Sequence, residues 1–373
     1  MKIGFDAKRA FNNHRGLGNY SREVLRVLTS LSPEHHYYLF TPAIDPELPY
    51  SCPENARIIK PEKATGKLAQ ALWRARSITK EAQALGLDLY HGLSHEIPQG
   101  MEKTKIKTVV TMHDLLFIKH PEWYPFLDRM SYRKRYLDSC YRADRIIAVS
   151  EQTKRDLLEE TRVTEDRVEV VCQGCHPIFR EHATEEQKKQ LRAKYQLPET
   201  YLLNVAATEP RKNQKLLLTA MVAGQIDCPL VIAGRKTDYL NELRQITSEY
   251  GLEGQVIFLP DFPFTELPAL YQGATLFLFP SIYEGFGIPI IEALESGLPV
   301  IAATGSCLEE SAGPDSRFAD PYLPEAWAEE INLLLHDEGI RTAMSVKGKA
   351  YARRFSDEAI NEQLNRIYKT LLP

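Results

Sequence analysis

Short apolar runs of three to six residues alternate with longer amphipathic or polar stretches along the whole chain. In the first half the runs predict strands at Lys2–Asp6, Tyr37–Thr41, Arg57–Ile59, Leu87–His91, Thr108–His113, Arg145–Val149 and Val168–Val171. A helix is expected over about Asn19–Leu31, and Ser150 is placed to cap another. From about Gly174 to Pro198 the sequence turns polar, with a charged helix over Thr184–Tyr195, which marks a domain boundary. A second series follows at Tyr201–Ala206, Leu230–Gly234, Val256–Pro260, Thr275–Phe279 and Val300–Ala303. Strands alternating with helices imply parallel sheets, so the rhythm predicts an α/β chain of two doubly wound Rossmann-like domains facing a central cleft. The expected division is 1–180, 181–356 and a last helix within 357–373, whose Ile360, Leu364, Ile367 and Leu371 share one face and must pack on something.

The fragment from Thr275 to Ala303 carries the densest chemistry. An apolar strand stops at Pro280, and Glu284-Gly285-Phe286-Gly287 then leads to Ile288 and Pro289, where a helix is expected to start and run to Gly297. The glycines let backbone amides approach a ligand, and a helix start aims unpaired N–H groups at an anion. Glu284 and Glu292 stand eight residues apart around that start, and Glu284, in a turn flanked by glycine, could accept hydrogen bonds from sugar hydroxyls. Alone, Glu292 reads better as a first-turn carboxylate complementing the helix dipole.

Glu209-Pro210-Arg211-Lys212-Asn213 follows the first strand of the second series and precedes a helix opening near Asn213. Adjacent cations at the positive end of a helix are unfavourable unless an anion joins them, and a diphosphate would engage both. His113-Asp114 closes a strand at the sheet end where ligands bind, and His91 has the same location; either histidine could instead be a satisfied structural group. Gly16-Leu17-Gly18 reads as a helix-opening loop able to contact phosphate. It lacks the third glycine of a dinucleotide fingerprint, and the strand ending at Thr41 offers no acidic ribose binder, which disfavours a dehydrogenase.

Composition changes this picture little: 373 residues at 43% hydrophobic and 26% charged suit two globular domains. No apolar run is long enough to span a membrane, and no signal peptide is evident, so a cytoplasmic protein is expected. The net charge of −4 is uneven, with 28 Lys+Arg against 23 Asp+Glu in residues 1–180 and 18 against 27 in the rest. The basic half is a solvated face or one turned to an anionic membrane or a phosphate-bearing acceptor. Cys172-Gln173-Gly174-Cys175-His176 mimics a haem-attachment or zinc pattern, but there is no export signal and no second cysteine pair, so a strand-end turn is the reading and no metal is expected.

Taken together, these segments resemble the family-4 retaining glycosyltransferases of the GT-B fold. The likeness spans nearly the whole chain. It is carried by Glu284-Gly285-Phe286-Gly287 with Glu292, by Glu209-Pro210-Arg211-Lys212-Asn213, by His113-Asp114-Leu115, by Ala143-Asp144-Arg145-Ile146-Ile147-Ala148-Val149-Ser150 and by Gly297-Leu298-Pro299-Val300-Ile301-Ala302. The resemblance implies that Arg211 and Lys212 hold the diphosphate of a nucleotide sugar beside Glu209. It further implies that Glu292 binds the ribose, that Glu284 with the Phe286 and Gly287 amides grips the transferred sugar, with Gly285 and Ile288 completing that wall, and that His113 approaches the sugar from the amino-terminal side. Gly16 and Gly18 would face the phosphates, and His91 and Asp114 would lie toward the acceptor. Two departures stand out. Ala206-Ala207-Thr208 replaces a usual glycine, and Gln173-Gly174-Cys175-His176 replaces an Asn-Gly-Val-Asp turn, the latter with no expected effect on catalysis.

The expected activity is retaining, metal-independent transfer of a hexose such as mannose or glucose from a nucleotide-diphosphate sugar to a glycan or lipid-linked glycan in cell-surface polysaccharide synthesis. No cofactor beyond the donor substrate is implied, nor any nucleic acid; peripheral contact with the inner membrane surface fits the basic half. The rivals are a nucleotide-sugar epimerase or phosphorylase of the same architecture, and a catalytically silent sugar-nucleotide-binding subunit.

Overall fold

The computed structural model describes residues 1–48, 50–62 and 66–372. The chain forms two compact units, Met1–Gly174 with Phe355–Pro373 and Cys175–Arg354. The chain thus passes between units at Gly174–Cys175, six residues before the expected boundary at 180. The reason is local: Phe179 in the short turn Pro177–Arg180 is buried edge-on against Tyr271 and Phe264, which commits this segment to the second unit.

Among the described residues the first unit holds a seven-stranded sheet in the order β3-β2-β1-β4-β5-β6-β7. Its strands are β1 (Lys2–Asp6), β2 (His36–Phe40), β3 (Ala56–Ile59), β4 (Leu89–Gly92), β5 (Lys107–Met112), β6 (Arg145–Ala148) and β7 (Val168–Val170). The second unit holds a six-stranded sheet, β10-β9-β8-β11-β12-β13. Its strands are β8 (Leu202–Val205), β9 (Leu230–Gly234), β10 (Val256–Pro260), β11 (Leu276–Phe279), β12 (Val300–Ala303) and β13 (Arg317–Ala319). The ladders are parallel in both sheets. Runs such as Leu276–Phe279 and Val300–Ala303 are buried along their whole length because helices cover both faces of a parallel sheet. β13 escapes sequence reading, being three residues long with a basic first position.

Strand order reverses between β1 and β4 in the first sheet and between β8 and β11 in the second. Loops leaving neighbouring strands on either side of such a reversal diverge, and the crevice at the carboxyl ends is where ligands bind. The final helix, Asp357–Leu371, belongs to the first unit; Ile360, Leu364 and Ile367 are buried, and its Tyr368 reaches β4.

Candidate functional site

In the second unit the two loops at the reversal meet. The segment after β8 makes a single turn over Pro210–Lys212 and enters the left-handed region at Asn213 (φ 58°) before the helix Gln214–Ala223. The segment after β11 runs to Gly287 (φ 106°), and a helix follows over Ile288–Glu295. That helix starts one residue earlier than expected, with Pro289 in its second position, and stops at Ser296, ahead of Gly297. The loops are tied by the Ile282 amide donating to the Arg211 carbonyl at 3.0 Å and by Asn213 Nδ2 donating to the Pro280 carbonyl at 3.2 Å.

Between them lies a charge cluster. Lys212 Nζ pairs with Glu284 Oε1, Arg211 reaches Glu284 Oε2 at 3.3 Å, and Ser281 Oγ donates to Oε1 at 2.6 Å. Glu209 joins Arg211 at 3.1 Å and Arg235 at 3.2 Å. The side chains of Lys212 and Glu284 are each only 12% exposed. Burial alone would raise the Glu284 pKa, but Lys212 and Arg211 outweigh it and draw it down to about 2. Burial lowers that of Lys212, against the pull of Glu284. The anion demanded by adjacent cations near a helix start is supplied here by Glu284 and Glu209. The carboxylate expected on the sugar and the cations expected on the diphosphate therefore form one cluster.

Glu292 has a different partner. It is 8% exposed on the second turn of its helix and accepts a hydrogen bond from Tyr271 Oη at 2.8 Å. Burial raises its pKa to about 7, only partly offset by that bond. Phe286 is buried, and the Gly287 position is crowded: a Cβ there would lie 3.2 Å from Ser311 Oγ, in a backbone conformation that favours glycine.

A third loop, after β12, fastens the Glu284 segment and was not singled out in the sequence. Ser306 adopts the left-handed region (φ 58°); its Oγ accepts from the Glu284 amide at 3.1 Å and lies 2.9 Å from the Glu284 carbonyl. The buried Cys307 thiol lies 3.2 Å from the Glu284 carbonyl and 3.1 Å from that of Phe286. The available signal was its place at the carboxyl end of a strand beside β11.

In the first unit the histidines are buried and engaged. His113 sits one residue past β5; its Nε2 lies 2.9 Å from the Leu93 carbonyl and its Nδ1 3.1 Å from Gln173 Nε2. A carbonyl accepts and an amide nitrogen donates, so the proton is on Nε2 and the ring is neutral. Burial, with Arg9 adding to it, lowers its pKa to about 4 despite the Leu93 bond. The Gln173 departure from the family pattern thus touches a candidate site residue, because the end of the first unit folds back over β5's carboxyl end. His91 also departs from its acceptor-side assignment: it is fully buried, with Nδ1 2.7 Å from Tyr368 Oη and Nε2 2.8 Å from Thr111 Oγ1. Burial takes its pKa to about 3, and its role is to seat the final helix. Asp114 Oδ1 accepts from the Leu116 amide at 3.2 Å. His95, missed in the sequence, is in the left-handed region (φ 64°), accepts from the His113 amide at 3.2 Å and stacks on Tyr136 at 4.4 Å.

Gly16 and Gly18 lie inside the first turn of a helix spanning Gly16–Leu31, which begins three residues earlier than expected and replaces the flexible loop. Gly18 is required by a close approach, since a Cβ would fall 1.8 Å from the Asn13 carbonyl oxygen; one at Gly16 would meet nothing within 4 Å.

Residues 14–177 match the family model described as Glycosyltransferase Family 4, and residues 185–351 match that described as Glycosyl transferases group 1. The chain is a family-4 glycosyltransferase. The glycosyltransferase is 28% identical over 390 residues to O-antigen chain mannosyltransferase B of Escherichia coli, covering 100% of both. It is 28% identical over 276 residues to the serotype-specific mannosyltransferase WbdA of Escherichia coli, a match using 71% of this chain and 34% of WbdA. Among solved structures it resembles sucrose-phosphate synthase from Thermosynechococcus elongatus (TM-score 0.81, 22% identity, 100% and 99% coverage). It also resembles Anabaena HepE in complex with UDP-glucose (TM-score 0.76, 19% identity, 99% and 100% coverage). The fold of the glycosyltransferase is GT-B.

Proposed function

We propose that this glycosyltransferase moves a hexose, mannose foremost, from a nucleotide-diphosphate sugar to a hydroxyl of a glycan or lipid-linked glycan during cell-surface polysaccharide synthesis, with retention of anomeric configuration. The observation that carries the reading is the cluster of Glu284, Lys212 and Arg211 at the strand-order reversal of the second sheet, where half-buried cations lie beside a helix start. Support for the acceptor class comes from the names of the mannosyltransferase relatives.

In this reading the diphosphate takes Lys212 and Arg211 from Glu284, and the released carboxylate hydrogen-bonds the hexose hydroxyls. Glu292 receives the ribose. As the bond from the anomeric carbon to the diphosphate oxygen breaks, the two cations and the helix amides stabilise the leaving charge. The acceptor oxygen bonds to the anomeric carbon on the same face, and its proton passes to the departing phosphate oxygen. No residue of the chain is required as general base.

The test is transfer by the purified chain across a panel of nucleotide sugars and mannose-terminated acceptors, in EDTA, with the anomeric configuration of the product read by NMR. Transfer with retention is expected. Inversion, a need for added magnesium or manganese, or isomerisation or phosphorolysis in place of transfer would each overturn the corresponding part.

A further inference from the structure

At the strand-order reversal of the first sheet lies a cavity of about 620 Å³, within the roughly 300–1,000 Å³ of pockets that hold small molecules. Its wall includes Asp6 at the end of β1, Tyr90 in β4 and Glu96 in the loop after β4. The helical segment 67–85 forms another wall, and its middle, Trp73–Ser77, is a π-helical turn, a feature that recurs at functional sites. Arg74 stands in that turn and crosses to Asp6 at 2.9 Å and to Glu96 at 3.3 Å, while Arg135 holds the other Glu96 oxygen at 3.1 Å. The side chains of Asp6 and Arg74 are only 3% and 15% exposed. Apolar side chains would fill such a helix-to-sheet contact at least as well as a desolvated ion network does.

A second observation points to a ligand. Tyr90 is fully buried, yet its Oη has no hydrogen-bond partner among the described residues. Burial, with Asp6 adding to it, raises its pKa well above the usual value, so the hydroxyl keeps its proton. A buried hydroxyl left so is costly unless a ligand completes it. Successive residues of a strand face opposite sides of the sheet, so this cavity is separate from the contacts of His91 with Tyr368 and Thr111. Leu68 and Leu72 line the same cavity and give the C–H face of a pyranose a surface to pack on. We propose that the cavity is a saccharide subsite holding an inner, neutral sugar of the acceptor glycan. The sugar hydroxyls donate to Asp6 and Glu96 and accept from Tyr90 Oη and the remaining Arg74 N–H groups. The glycosyltransferase then extends oligosaccharides in preference to a single sugar. Polyols suit a wall that offers donors and acceptors together, whereas two carboxylates repel a phosphate. Lys8 and Lys67 also line the cavity, so a sugar phosphate is the rival occupant that the test must reject. The inference rests on the acceptor class proposed above and adds which part of that acceptor the first unit grips.

The experiment measures KM and kcat of the full chain for methyl mannoside, mannobiose and mannotriose as acceptors, and titrates the same sugars and a mannose phosphate calorimetrically without donor. KM should fall by roughly tenfold from the monosaccharide to the trisaccharide, with kcat little changed. Tyr90→Phe should raise KM for the trisaccharide about fivefold and leave that for the monosaccharide alone. Because the hydroxyl has no partner in the protein, its removal should not lower the unfolding midpoint, as loss of a structural hydroxyl would. Ala71→Trp, at an exposed position that lines the cavity, should fill it and abolish the length preference with the midpoint held. A KM independent of acceptor length and unmoved by either variant would overturn the subsite, and so would tighter binding of the mannose phosphate than of mannotriose. Absence of transfer to every sugar would overturn the acceptor reading instead. Calorimetry then decides the cavity separately: mannotriose binding that both variants weaken supports it, and no binding overturns it.

Discussion

The carboxyl ends of the first unit's strands gather histidines that are neutral and already hydrogen-bonded, whereas loops leaving the second unit's sheet gather charges that hold one another. His91 and His113 each use both ring nitrogens on partners within their own unit. Glu284, Lys212 and Arg211 form a half-buried set in which each charge answers another. A finished network of neutral groups fixes geometry and gives little to a ligand. A buried ion pair keeps charge desolvated until a ligand of matching charge exchanges into it, and removing one member leaves the other unpaired. On the proposed reading, the same sheet architecture would serve as a positioning wall in one unit and as an exchangeable electrostatic site in the other.

The largest expected effect comes from breaking the charged side of this comparison. On the proposed reading, Glu284→Ala should lower turnover by roughly a hundredfold or more, because the sugar would lose its carboxylate. It should also cost about 1–3 kcal/mol of stability, since the half-buried Lys212 loses its carboxylate while Arg211 keeps Glu209. A bare nucleotide diphosphate should bind at least as tightly as before and restore the lost stability, as it occupies the vacated charge site. Glu292→Ala should do the reverse, weakening the bare nucleotide by about 1–3 kcal/mol. Calorimetry with the nucleotide diphosphate and with its sugar conjugate separates the two; bare-nucleotide binding lost in Glu284→Ala and kept in Glu292→Ala would reverse the assignments.

Proton linkage sets the units against each other next. The folded pKa values of His91 and His113, about 3 and about 4, lie below the unfolded histidine value, so the unfolded chain binds more protons in the window between. Their contribution is present above about pH 6.5 and is lost as the pH falls toward 4, by about 2 kcal/mol for each at pH 5. Glu292, raised to about 7, has the opposite sign: the folded chain binds the extra proton, so stability falls as the pH rises from the unfolded value toward 7. Glu284 matters only in stronger acid, its stabilisation being lost as the pH falls toward 2. On acidification from pH 7 to pH 5, hydrogen exchange should quicken in β4 and β5 before β8 and β11. Glu292→Gln should remove the counter-trend in the second unit, and earlier opening of β8 and β11 at pH 5 would contradict this account.

A smaller effect is expected where the charged loop is fastened. Removing both hydroxyl and thiol, Ser306→Ala with Cys307→Ala, frees the Glu284 and Phe286 carbonyls and should lower turnover about tenfold, a displacement effect. Affinity for bare nucleotide diphosphate should hold, because Arg211 and Lys212 stand on a different loop. Equal losses in turnover and nucleotide affinity would show that the whole site had loosened instead.

How much of this was legible in the sequence follows the same division. Apolar runs placed twelve of the thirteen described strands, since a parallel sheet buries continuous residues and leaves a plain signal. The charged site was legible for a related reason: Glu284, Arg211 and Lys212 sit beside glycine, proline and asparagine, whose conformational demands mark loops. What one sequence could not convey is which side chains pair across loops. Glu284 answering Lys212 depends on strand order, as does Gln173 reaching His113. His91 read as a site residue because it ends an apolar run, yet alternation along β4 turns it toward Tyr368, a partner 277 positions away.

The least disruptive prediction concerns the glycines, where the sequence suggested a helix-opening loop able to contact phosphate and the structure has both glycines inside the helix's first turn. Gly16 is exposed in the first turn of Gly16–Leu31, without positive φ, and a Cβ there would meet nothing within 4 Å. Gly16→Ala should therefore be neutral or stabilising by about 0.5–1 kcal/mol through helix propensity and a less free unfolded chain. Gly18→Ala places a methyl group against the Asn13 carbonyl and should cost about 2 kcal/mol or more. Thermal unfolding of both variants checks the pair, and donor affinity of Gly16→Ala checks the comparison between units. If the first unit acts chiefly as a finished wall, that affinity should be unchanged. A tenfold loss with the fold intact would mean instead that the Gly16 turn approaches the donor so closely that even a methyl group obstructs it, and the first unit would share in binding the phosphates.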